Sequence, residues 1–189
     1  MKKISLTVLL MTILSTAFSQ QVVDFKLKNV VNGQDVSLDT YPSCEGLLLI
    51  FTSNSCPYDE HYRNRIARLS TAIGEKVPVL LVNSNTEPAE SIDNMIKKVK
   101  QSGWTLPYLA DKDQTLMQRL GATKNPHAFL LKNNNGKFQV VYSGAIDDNA
   151  QVEADVKHAY LKDAIDIMLA NQTITTSEVR PAGCTIRKK

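Results

Sequence analysis

Leu47-Leu48-Leu49-Ile50-Phe51 is an unbroken apolar run, opened by Gly46 and followed by Thr52-Ser53-Asn54-Ser55. A strand with one wet face alternates apolar and polar residues. One that does not alternate is buried on both faces and belongs to a sheet covered by helices on each side. The rest of the chain supplies such layers. Residues 57–73 place Tyr58, Tyr62, Ile66, Leu69 and Ile73 on one helical stripe, and Gly74 stops it. Val77 to Val82 is a second buried run, and residues 88–102 repeat the helical pattern with Ile92, Met95, Ile96 and Val99 before Gly103. Asp113 is placed to cap a short helix containing Leu116, Met117 and Leu120. His127 to Leu131 and Phe138 to Tyr142 read as strands joined at Asn133-Asn134-Asn135-Gly136, and a long helix is expected from Asp147-Asp148-Asn149 through Leu169. Ahead of all these, Phe25, Leu27 and Val30 lead to an Asn32-Gly33 turn before Val36 and Leu38.

The order is a β-hairpin, then β-α-β-α, a short helix, and β-β-α. It predicts an α/β fold with a central mixed sheet, helices on both faces and an N-terminal β-hairpin. The closing hairpin and helix narrow this to a thioredoxin-like layout. A chain of 189 residues with 43% hydrophobic side chains builds one such domain, expected over 20–170, with a polar C-terminal tail over 171–189.

The first residues are read as an address. Lys2 and Lys3 precede an apolar stretch from Ile4 to Leu14, and Ala17-Phe18-Ser19 offers small residues where a signal peptidase cuts. Residues 1–19 are therefore expected to be a cleaved signal peptide, and the mature chain to be exported, periplasmic or secreted, without an integral membrane span. Removing Lys2 and Lys3 brings the formal charge of +3 close to neutral. That balance and the absence of a basic cluster argue against nucleic acid. Cysteines in an exported chain meet an oxidising compartment.

Of the three cysteines, Cys44, Cys56 and Cys184, Cys56 is the most informative. It follows the buried strand and precedes Pro57, and proline suits the first position of a helix. Cys56 thus stands at a helix N-terminus, where unpaired N–H groups and the helix dipole favour an anion and lower a thiol's pKa. Downstream, Lys124-Asn125-Pro126-His127 leads into a strand. In a thioredoxin-like layout that position is a cis-proline loop beside the active cysteine.

These segments resemble the exported thioredoxin-like redoxins close to the alkyl hydroperoxide reductase/thiol-specific antioxidant (AhpC/TSA) group. Members typically carry Phe-Thr-Cys-Asn-His-Cys-Pro, Thr-Pro-His before a strand, Gly-Ala-Ile-Asp-Asp-Asn, and Gly-Cys-Thr-Ile-Lys near the end. The matching stretches are Phe51 to Tyr58, Asn125 to Leu131, Gly144 to Asn149 and Gly183 to Arg187. The resemblance implies a thiol-dependent oxidoreductase or peroxiredoxin-like antioxidant protein, with Cys56, Ser53 and Cys184 as catalytic residues. Pro57, Asn125, Pro126 and His127 would line a substrate groove. The partners would be a peroxide or a protein or small-molecule disulfide, and an external thiol reductant.

The chain departs from the pattern where chemistry happens. Ser53 replaces the first motif cysteine, Ser55 the histidine, and Asn125 the threonine before proline. Only the cysteine that resolves a mixed disulfide in CxxC proteins is kept. Ser53-x-x-Cys56 also has the spacing of a peroxidatic (Thr/Ser)-x-x-Cys motif, although Leu49 stands where that motif has proline. Cys44 and Cys56 flank an extended segment of roughly 20 Å, at ~3.3 Å per residue, too long for a direct disulfide. Cys184 in the tail can clamp Cys44, resolve Cys56, stay free or bond to another chain. No cofactor is expected, because no Gly-rich phosphate loop follows a strand, and His61, His127 and His158 make no metal spacing. His127 is a candidate proton carrier facing Cys56. The second function compatible with the sequence is a redox-inactive binding or scaffold protein that holds peptides in the Pro126 groove.

Overall fold

A computed structural model describes residues 24–189, so the expected signal peptide over 1–19 lies outside the described residues. The apolar run becomes β3 (Gly46–Phe51), buried along its whole length. It pairs in parallel with β4 (Val79–Asn83) and antiparallel with β7 (His127–Asn134). Alternate side chains go to opposite faces. Leu48 and Ile50 enter one apolar cluster, and Leu47, Leu49 and Phe51 enter the other. Gly46 is required at the start of β3, because a Cβ there would lie 2.6 Å from the Leu131 carbonyl oxygen and from the Met168 methyl.

The first cluster is covered by three helices. α1 (Pro57–Ile73) brings Tyr62 and Ile66, α2 (Ile92–Ser102) brings Met95 and Val99, and α4 (Tyr160–Leu169) brings Leu161, Ile165 and Met168. The second is covered by α3 (Thr115–Leu120) with Leu116 and Met117, by Phe25, Val36 and Leu38, and by Ile186 from the C-terminal segment. The hairpin is β1 (Leu27–Asn29) and β2 (Asp35–Val36). β5 (Tyr108–Ala110) joins it to β4, and β8 (Lys137–Gly144) follows β7. With β9 (Glu178–Val179) the eight-stranded sheet runs β2-β1-β5-β4-β3-β7-β8-β9. This is the expected mixed sheet with helices on both faces.

Three local readings change. The long closing helix is only α4: residues 147–159 are held in other conformations by side chain–backbone bonds that compete with a helix. Asn149 Oδ1 accepts from the Gln151 and Val152 N–H groups, and Asp148 Oδ1 from that of Lys157. The α3 N-terminus is served by buried Asp111, whose carboxylate accepts from the Leu116 and Met117 N–H groups, while Asp113 reaches only Thr115. The segment 171–189 is polar but tied down. Besides β9, it forms β10 (Cys184–Thr185), which pairs antiparallel with β6 (Lys124–Asn125).

Candidate functional site

β3 ends at Phe51 and α1 begins at Pro57, so residues 52–56 must turn the chain from the end of a central strand into a helix. Two carboxylates hold this turn. Asp59, in the first turn of α1, accepts from the Ser53 N–H through Oδ2 (2.7 Å). Glu90 accepts from the Asn54 N–H (2.7 Å), the Ser55 N–H (3.1 Å), the Ser55 hydroxyl (2.6 Å) and the Asn83 side-chain amide (2.8 Å). Ser53 Oγ in turn accepts from the Cys56 N–H (2.9 Å). Cys56 is the N-cap residue of α1, with Pro57 at the first helical position. Its sulfur therefore sits against the positive end of the helix dipole.

Cys56 is bonded to Cys184 in a disulfide with Cα atoms 6.0 Å apart. Cys44, at the opposite end of β3, is a free thiol, and burial pushes its pKa up. Of the two pairings left open by the sequence, the structure contains Cys56–Cys184. Cys184 is delivered by the β10–β6 pairing, which sets it directly across from Asn125. The Asn125–Pro126 peptide bond is cis, and Cys56 Sγ lies 3.3 Å from the Asn125 carbonyl oxygen. The backbone of Gly183 approaches that same carbonyl so closely that a Cβ would come within 2.1 Å of it. Gly183 also has φ +157°.

Cys56 is buried and Cys184 is half-buried. Both border a polar cavity of about 370 Å³ whose other walls include Ser53, Ser55, Asn85, Glu90, Asn125 and Arg187. Asp59 lies behind the loop. Burial, opposed by the Ser53 N–H, pushes its carboxyl up to about 7. Its Oδ1 is buried without a hydrogen-bond partner, and the residue lines a second cavity, of about 190 Å³, beside Arg63 and Trp104.

The residues singled out from sequence are not all brought together. Ser53, Cys56, Cys184 and Asn125 meet around the disulfide, with Pro57 and Pro126 as backbone elements beside it. His127 does not join them. Its ring packs at a tilt against Phe129, with centroids 4.3 Å apart, its Nδ1 accepts from the Thr123 N–H, and its Nε2 pairs with the Ser143 hydroxyl. Burial lowers its pKa to about 4, so it is neutral at pH 7, and both ring nitrogens are engaged by Thr123 and Ser143 rather than by Cys56. Among the described residues no three His, Cys, Asp or Glu side chains gather as a metal site. Asp59 and Glu90 were missed. Asp59 carried the faint signal of an acid in a helix's first turn, and Glu90 carried none, because its partners in the turn lie 35 and 36 residues earlier in the chain.

The AhpC/TSA family model matches residues 18–145. No curated protein matches the chain. Among solved structures, a hypothetical protein from Sinorhizobium meliloti 1021 is 29% identical with a TM-score of 0.79, covering 90% of this chain and 94% of that one. An uncharacterized conserved protein from Geobacillus kaustophilus is 26% identical with a TM-score of 0.79, covering 90% and 92%. A putative thiol:disulfide interchange protein DsbE from Chlorobium tepidum is 20% identical with a TM-score of 0.58, covering 80% and 96%, a likeness of fold alone. The family match takes in the hairpin, the Cys56 turn and the cis-proline loop, and with the thioredoxin-like sheet around them it places this chain in the AhpC/TSA family.

Proposed function

We propose that the protein is an exported thiol–disulfide oxidoreductase whose redox pair is Cys56 and Cys184. The observation that carries this reading is the Cys56–Cys184 bond at the N-terminus of α1, beside the cis-proline loop. A sulfur from the C-terminal segment takes the place, next to Cys56, of the motif cysteine that Ser53 has replaced.

Exposure and electrostatics divide the work between the two sulfurs. An external thiolate meets half-buried Cys184 before buried Cys56. Attack on Cys184 Sγ breaks the disulfide and expels Cys56 as a thiolate. The helix dipole stabilises that charge, which makes Cys56 the better leaving group. A second external thiol then releases Cys184, so one external disulfide forms for each protein disulfide reduced. Oxidation runs the same path backwards. Ser53 fixes the turn by accepting the Cys56 N–H, and Asp59 and Glu90 act as positioning residues. Export rests on residues 1–19, with the mature chain beginning at or next to Gln20 in a periplasmic or secreted setting.

The test is a redox titration of the purified mature protein in buffers of defined thiol/disulfide ratio, read by alkylation and mass spectrometry. One two-electron couple confined to Cys56 and Cys184, and its loss in both Cys56→Ser and Cys184→Ser, is the expected result. Unreactive thiols in the reduced protein would leave a binding role in its place.

A further inference from the structure

The disulfide is not the only tie on the C-terminal segment. Residues 183–189 are also docked by contacts that do not involve the sulfurs. β10 pairs with β6, and the Ile186 N–H extends that pairing to the Thr123 carbonyl (3.0 Å). The Ile186 side chain is buried in the second apolar cluster. Gln114, itself fully buried at the head of α3, donates from Nε2 to the Arg187 carbonyl (2.7 Å) and accepts from the Lys189 N–H (2.8 Å). Lys124 Nζ reaches the Thr185 hydroxyl (2.9 Å). An apolar anchor, a strand pairing and a buried amide on one short segment describe a built seat rather than a loose tail.

The seat uses up a resource. β6 is a strand edge next to the reactive cysteine, and an extended polypeptide docks on such an edge by main-chain hydrogen bonds. Here the protein's own C-terminus occupies it. Both sulfurs border the polar cavity of about 370 Å³, a volume suited to a small molecule rather than to a strand.

We infer that the docked C-terminal segment excludes protein disulfides and restricts the pair to small polar disulfides that enter this cavity. The inference rests on the redox reading above. In the reduced protein, the Cys184 thiolate attacks one sulfur of a small disulfide, forming a mixed disulfide and releasing one thiolate. The Cys56 thiolate then attacks Cys184 Sγ, the protein disulfide closes, and the second thiolate leaves. Two electrons pass from the two cysteine sulfurs to the small disulfide, and its two halves leave as thiols carrying the two protons.

The experiment uses the pre-reduced full mature chain and follows loss of its thiols with two probes, hydroxyethyl disulfide and insulin. Two variants loosen the seat by different means while leaving both cysteines: Ile186→Ala removes the apolar anchor, and Gln114→Asn keeps a residue tolerant of the left-handed backbone there (φ +63°) but shortens the reach to the arm. A thermal melt confirms that each is folded. The wild-type chain should react with hydroxyethyl disulfide and only slowly with insulin. Either variant should raise the insulin rate by about tenfold or more while changing the small-disulfide rate by less than about twofold. Equal wild-type rates with the two probes, or insulin rates untouched in both folded variants, would overturn the inference and leave the redox pair standing. Failure of every form to react with either probe would remove the redox reading itself.

Discussion

Asp59 and His127 titrate over the same pH range in opposite senses, so each hides the other. Asp59 has its pKa raised from 3.8 to about 7, chiefly by burial. The unfolded chain ionises first, and the stability present below about pH 4 is lost as pH rises through 7. His127 has its pKa lowered from 6.5 to about 4 by burial. Its neutral form is compatible with folding above about 6.5, and stability is lost as pH falls from there toward 4. Each effect is on the order of 3 to 4 kcal/mol as an upper figure. In the wild type the two slopes should therefore largely cancel where the windows overlap, between about pH 4 and 6.5. Asp59→Asn keeps an acceptor for the Ser53 N–H and leaves His127 alone, so its stability should drop on acidification. His127→Gln should instead lose stability toward pH 7, a sense to which Asp111, also raised by burial, adds. Urea unfolding at several pH values reads both slopes, and parallel curves for the two variants would refute the assignment. Glu90 gives a second prediction. Four donors converge on its carboxylate, and an amide would turn its own donors toward some of them. Glu90→Gln should cost about 2 kcal/mol, a melting decrease of several degrees, and should slow exchange at Cys56 because the turn that sets its position loosens.

Elements are tied to one another by a few polar contacts as well as by the core. α1 is fastened to the loop after β8 by Arg65, whose guanidinium donates to Asp147 Oδ2 (2.7 Å) and to the Asn149 carbonyl (2.6 Å), while the Tyr62 hydroxyl donates to Asp147 Oδ1 (2.7 Å). Both charged side chains are under a tenth exposed. Arg65→Met would keep the bulk and leave the Asp147 charge buried without its counterion, a loss of about 3 kcal/mol or more; equilibrium urea unfolding measures it, and a loss below about 1 kcal/mol would mean that water replaces the guanidinium. This contact also explains what the sequence could not announce. Asp147 and Asn149 look like the cap of a long helix, but their acceptors are committed to Tyr62, Arg65 and nearby N–H groups, and helix begins only at Tyr160. β3, β4 and β7 were legible because unbroken apolar runs leave few alternatives. β5 was not, since three residues after Pro107 have no period to read. At the site, Cys56-Pro57 and Asn125-Pro126 could be placed from element order alone. The choice of Cys44 or Cys56 as partner for Cys184 could not, because the segment that carries Cys184 is fixed by Ile186 and by pairing with β6, neither of which shows as a pattern in a polar stretch.

At the scale of the whole molecule, the Cys56–Cys184 bond joins residues 128 apart in sequence. It thereby links the first helix to the C-terminus, around most of the described fold. Closing so long a loop in the unfolded chain is worth up to about 5 kcal/mol in chain entropy, and native disulfides of this kind deliver roughly 2 to 5. The folded side should change less on reduction, because the strand pairing, the Gln114 contacts and the buried Ile186 do not run through the sulfurs. Reduction should therefore lower stability without dismantling the fold. At about 2 to 4 °C per kcal/mol for a chain of this size, the melting temperature should fall by about 10 °C in excess thiol, with the far-ultraviolet circular dichroism below the transition unchanged. Cys184→Ser should melt near the reduced wild type in either buffer, and Cys44→Ser should keep the full difference between oxidised and reduced forms, since Cys44 takes no part in the bond. Identical melting of the oxidised and reduced wild type would show that the docked segment already restrains the unfolded chain as much as the bond does. A collapse of the dichroism on reduction would show the reverse, that the segment is seated only by its sulfur. Between those limits the redox state of one bond would set the stability of the molecule while leaving its shape, and hence its cavity, in place.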